Sequence, residues 1–321
     1  MKKVNIIFVI LIFIFLFAGC NKSLTQPEKD ITDNEATIEV YATIYPLQDF
    51  SEKIGGEFVE VKTIIPPGAD AHLFEPTSKD MVKIAESDLF IYMGTGIEGF
   101  TNSVTDTLKN DEVDIVKASE GIELIEAVEE LDEQNDDKED HGEEEEQGDF
   151  DPHVWLDPIK SIKLAENIKN AFIKLYPAEK EYFEKNYLDV KKDLEDLDFA
   201  FKEMVQQSSN KTFVVSHSAY GYWASAYNLK QIGISGLSPT EEPSQKSLKE
   251  LIDFSKENSI SYILFEPNVS NNVAEVVRKE IGAEALTVHN LEALTDEDIK
   301  NNEDYFSIMR KNIDTLQEAL N

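Results

Sequence analysis

Five histidines occur in the 321-residue sequence, and four of them share a setting. His72 stands in "PPGADAHLFEPTS", His153 in "FDPHVWLDP", His217 in "TFVVSHSAYGYW" and His289 in "AEALTVHNLEALT". Each lies at the end of a β-prone run or in a loop, and the first three stand near proline, glycine or aromatic residues. Glu266 closes another such run, "ISYILFEPN". In open parallel sheets, ligands bind beyond the carboxyl ends of the strands. A single histidine there is more often a satisfied structural residue. Several at equivalent strand ends point to a metal, because neutral imidazole suits zinc, copper, nickel and iron. These residues are too widely spaced for a zinc finger, and the chain has no H-E-x-x-H or C-x-x-C motif.

His153 is boxed between Asp151-Pro152 and Asp157-Pro158. A residue before proline is pushed out of the helical region, so this segment is short, stiff and non-helical. Immediately before it, residues 129–149 hold thirteen Asp or Glu and one Lys, a block too charged to fold alone, with His141 inside it.

These residues need a framework, and alternating patterns supply one. From Thr37, "TIEVYATIY" reads as a strand, "PLQDFSEKIGG" as a helix with proline first and glycine after, and "EFVEVKTII" as a strand. "TSKDMVKIAESD" (helix), "LFIYMG" (strand), "IEGFTNSVTDTLKN" (helix) and "DEVDIVKAS" (strand) continue the alternation. After the acidic block come the helix "DPIKSIKLAENIKNAFIKLYP" and a long helical pattern from Tyr182 to Val205. The alternation then restarts at "KTFVVSH" and closes on the helix "NEDYFSIMRKNIDTLQEAL". The expected fold is α/β: two (β/α) lobes with parallel sheets, joined by one long helix. The expected divisions are an N-terminal lobe over 37–178, a linking helix over 179–207 and a C-terminal lobe over 208–321.

The N-terminus reads as an export signal over residues 1–19: Lys2 and Lys3, an apolar run from Val4 to Phe17, then small residues. "LFAGC" is similar to the lipobox of bacterial lipoproteins, in which the cysteine is lipidated. Cys20, the sole cysteine, is therefore the expected anchor, with residues 20–36 as a polar tether. The 64 acidic against 30 basic residues argue against a nucleic-acid partner and favour cations.

Five segments carry a family resemblance: "IPPGADAHLFEPTSKD", "DPHVWLDP", "VVSHSAYGYWASAYNLKQIGISGLSPTEEPS", "ILFEPNVS" and "EDYFSIMRKNIDTL". In this order they resemble the zinc- and manganese-binding lipoproteins of bacterial ABC importers, the cluster A-I solute receptors. The zinc members from Gram-positive bacteria are the most similar. The resemblance implies two lobes joined by a rigid helix, one metal in the cleft, and ligands at His72, His153, His217 and Glu292. His289 and Glu266 remain alternatives for the fourth ligand. It also implies a monomer on the outer face of the membrane, delivering Zn2+ to a permease and catalysing nothing. Manganese members carry a carboxylate in place of His217, and three imidazoles with one carboxylate suit zinc better than manganese. The alternatives are a manganese receptor of the same family or a secreted zinc hydrolase. The latter would need an open position for water and a base such as Glu75 or Glu266. Adhesion to host surfaces is a further label borne by surface members of this family. The acidic block resembles their metal-collecting loop but holds one histidine rather than many.

Overall fold

The computed structural model describes residues 37–127, 150–269 and 271–321. The expected signal and tether, Cys20, the acidic block and His141 lie outside the described residues. Among the described residues, no helix is long and apolar enough to cross a membrane.

Two four-stranded parallel sheets form the frame. In the first, β1 (Ile38–Ala42) leads into α1 (Tyr45–Gly55), with Pro46 in its first turn, where a missing N–H costs nothing. β2 (Val59–Thr63) precedes the His72 loop and α2 (Ser78–Glu86), which opens on a capping box between Thr77 and Asp80. β3 (Leu89–Tyr92), α3 (Thr101–Leu108) and β4 (Asp114–Lys117) complete this half in the order β2-β1-β3-β4.

After the His153 segment, Asp157 accepts from the amides of Ile159 and Lys160 and caps α4 (Pro158–Leu175). A single 3-10 turn then leads into α5 (Lys180–Gln207), 28 residues long, or about 42 Å at 1.5 Å per residue. Its buried Phe183, Val190, Leu194, Leu197, Phe201, Met204 and Val205 recur at helical spacing and form one apolar face. Truncation of a leucine as buried as Leu194 typically costs about 2–5 kcal/mol.

The second sheet repeats the first pattern. β5 (Thr212–His217), α6 (Gly221–Tyr227), β6 (Lys230–Ser235), α7 (Gln245–Glu257), β7 (Tyr262–Phe265), α8 (Asn272–Ile281) and β8 (Glu284–Thr287) follow in turn. The strand order is β6-β5-β7-β8. A six-residue helix, α9 (Asp296–Asn301), absent from the sequence expectation, precedes α10 (Tyr305–Ala319). The final helix reaches back to α1: Tyr305 packs edge-on against Phe50 at 4.8 Å and donates to the Trp155 carbonyl at 2.6 Å. One apolar core accordingly runs from β1 through α4, α5 and β5 to α10, with a smaller cluster on the far face of each sheet.

Candidate metal centre

In both sheets the strand order reverses between the first and third strands, and such switch points open a crevice at the strand ends. The first crevice is closed by a carboxylate. Buried Glu98 accepts from the Thr43 hydroxyl at 2.5 Å and the Met93 amide at 2.7 Å, and burial raises its pKa. The second holds His217, the last residue of β5, and Glu266, directly after β7. His217 Nδ1 lies 2.5 Å from Glu266 Oε2, while the Tyr220 hydroxyl donates to Glu266 Oε1 at 2.8 Å. With Nδ1 turned to the carboxylate, Nε2 is left to face the cleft.

His153 repeats this arrangement. Its Nδ1 is 2.8 Å from Asp151 Oδ1, and the same oxygen accepts its backbone amide at 2.9 Å. Val154–Leu156 forms a 3-10 turn, so the two Asp-Pro pairs do bracket a short segment outside any α-helix. His72 lies on the loop after β2, with its own amide bonded to Asp70 Oδ1 at 2.8 Å.

Glu292 comes from a turn between β8 and α9 that is tied to the first half of the chain. Tyr45 N donates to the Glu292 carbonyl at 3.0 Å and Gly68 N to the Leu294 carbonyl at 2.8 Å. Trp155 Nε1 donates to the Asn290 carbonyl at 2.7 Å. Leu291, inside the turn, has φ +63°, a left-handed conformation that side chains rarely adopt. His289 Nδ1 accepts from Leu291 N at 2.8 Å, and Asn290 Nδ2 donates to Glu292 Oε1 at 3.0 Å.

Four side chains converge: one ligand atom each from His72, His153, His217 and Glu292, all within 4.8 Å of one another. The Nε2 atoms of all three histidines are buried without a hydrogen-bond partner. Buried polar nitrogens are seldom left unpaired, and three meeting beside a carboxylate suit a cation. Two nominated residues stay outside this group. His289 Nε2 lies 3.3 Å from Asp298 Oδ2, so that ring braces the turn. Glu266 spends both oxygens on His217 and Tyr220.

The electrostatics follow from this crowding. Burial opposes the charge on Glu292, but the neighbouring imidazoles, His72 foremost, outweigh it and bring the carboxyl down to about 2. For His153, burial and its two histidine neighbours all disfavour a proton, and its pKa falls well below the usual imidazole value. Burial also depresses His217, yet Glu266 overrides it and the net shift is upward. Asp151 is pushed up to about 7, chiefly by burial. In the sequence, Asp151-Pro152 reads only as a turn former. Its role as the partner of His153 was visible in the two-residue spacing.

Solved structures share this architecture. The Zn(II)-bound ZnuA-like domain of Streptococcus pneumoniae AdcA superposes with a TM-score of 0.73 at 36% identity, covering 89% of this chain and 99% of that domain. The chain belongs to the family described as ZnuA, zinc-uptake complex component A periplasmic, whose model matches residues 40–319. The high-affinity zinc uptake system protein ZnuA of Bacillus subtilis is 36% identical over 330 residues, covering 99% of this chain and 98% of its own length. The zinc-binding lipoprotein AdcA of S. pneumoniae is 37% identical over 319 residues, 99% of this chain. The chain spans 61% of that relative's length.

Proposed function

We propose that this protein is an extracytoplasmic receptor that captures one Zn2+ ion between His72, His153, His217 and Glu292 and passes it to an ABC importer permease. The observation that carries this reading is the trio of orphaned, buried Nε2 atoms gathered beside Glu292. Three imidazoles and one carboxylate form a four-donor set typical of zinc. A site closed by four protein donors also leaves little room for the activated water of a zinc hydrolase. On this reading, residues 37–178 and 208–321 are the two lobes, 179–207 is the linking helix, and Cys20 carries the lipid that holds the monomer at the membrane. Zinc is cargo here, so the protein's part is to hold, orient and release it.

Isothermal titration of the metal-stripped protein with Zn2+ tests the assignment. The expected result is one tight site per chain, largely lost in His217→Ala. Unchanged affinity and stoichiometry in that variant would remove His217 from the site.

A further inference from the structure

Three of the four candidate ligands sit in loops, where no strand ladder restrains them. His72 follows β2 by nine residues, His153 lies outside any strand or α-helix, and Glu292 sits in the turn after β8. Only His217 is held in a ladder, where it pairs with Ser235 of β6. Yet a donor must be fixed before the ion arrives, because freezing a loop residue costs about 1–2 kcal/mol per backbone.

All three loops meet this need by the same device. The side chain two positions before each ligand accepts that ligand's own backbone amide. Asp70 Oδ1 takes His72 N at 2.8 Å, Asp151 Oδ1 takes His153 N at 2.9 Å, and Asn290 Oδ1 takes Glu292 N at 3.2 Å. This is the Asx turn, in which a short oxygen-bearing side chain closes a ring over its next two residues. Elsewhere in the chain the same bond caps a helix, as at Asp157, or leads into a strand, as at Asn210. In the three ligand loops no strand or α-helix follows the ligand directly, although His153 leads into the 3-10 turn Val154–Leu156. The middle residues are themselves constrained: Ala71 is fully buried, Pro152 has a fixed φ, and Leu291 is left-handed.

We propose that Asp70, Asp151 and Asn290 are positioning residues, and that the pattern Asx-x-ligand aims each loop donor into the metal site. This rests on the ligand assignment above. Asp70 offers the clearest test, because Asp151 also grips the His153 ring and Asn290 also grips the Glu292 carboxylate. Asp70→Asn removes the charge but keeps the accepting oxygen. Asp70→Ala removes both.

Changes to groups that orient a metal ligand typically cost about 10–100-fold in affinity. Asp70→Ala should weaken Zn2+ binding by that order in competition with a chromophoric chelator, while Asp70→Asn stays near the parent. The absorption bands of the Co2+-loaded protein should change in Asp70→Ala and not in Asp70→Asn. A purely structural role would shift the melting temperature without this spectral change. In a His72→Ala background, Asp70→Ala should add nothing further. Parent-like binding by Asp70→Ala, or equal loss in Asp70→Asn, overturns the proposal while the ligand set stands, provided His72→Ala itself binds weakly. If His72→Ala binds zinc as tightly as the parent, the ligand assignment fails and the proposal fails with it.

Discussion

At His217 two effects oppose one another. Burial disfavours the imidazolium, while Glu266 at 2.5 Å favours it, and Glu266 prevails. An imidazole whose pKa is raised binds protons more readily, so protons contend with zinc for Nε2 from above the ordinary value near ~6.5. Zinc affinity should therefore fall as the pH drops through that range. Glu266→Gln keeps the shape but removes the charge, and should lower the His217 pKa. The lost carboxylate should also weaken zinc binding by about 10–100-fold near neutral pH. Chelator competition across pH, with an NMR titration of the metal-free His217 ring, reads both effects. A His217 pKa that does not move in Glu266→Gln would show that the carboxylate does not govern the ring.

Among the elements, the turn that presents Glu292 is held from behind by α9. Thr295 and Asp298 form the capping box of that helix, and Asp298 Oδ2 also faces His289 Nε2 at 3.3 Å. His289 and the Thr295 bonds together lower the Asp298 pKa against a smaller burial effect. A carboxyl whose folded pKa lies below its unfolded value adds stability above the unfolded value near ~3.9, and loses it as the pH falls further. Asp298→Asn should thus be less stable than the parent at neutral pH, with the gap closing in acid. Urea unfolding of the metal-free protein at several pH values measures the gap, and a gap of constant size would contradict the assignment. Helices of this length were hard to see in the sequence, because six residues are too few for an apolar period to appear. The 28-residue α5 was legible because its apolar face recurs over many turns. The strands were legible from β-branched runs, His72 and His217 from their places at or beyond strand ends, and His153 from the two Asp-Pro pairs around it. The fourth donor was not decided by such reasoning: His289, Glu266 and Glu292 all stand at or just beyond a strand end. Only the folded turn shows His289 facing Asp298 while Glu292 faces the histidines.

For the molecule as a whole, zinc bound by the folded state and not by the unfolded chain must stabilise the fold. Free zinc at a thousand times the dissociation constant adds about 4 kcal/mol by mass action. Thermal scans should show a rise in melting temperature that a chelator reverses and that His217→Ala largely lacks. A shift of equal size in the variant would mean that the stabilising ion sits elsewhere. The four donors are drawn from positions scattered over some two hundred residues of the chain. No short stretch of polypeptide offers more than one of them. A partly unfolded chain would therefore lack the proposed site, so folding and metal binding are coupled. On the proposed ligand set, the four donors come together only once both sheets, α5 and the last turn have closed on each other.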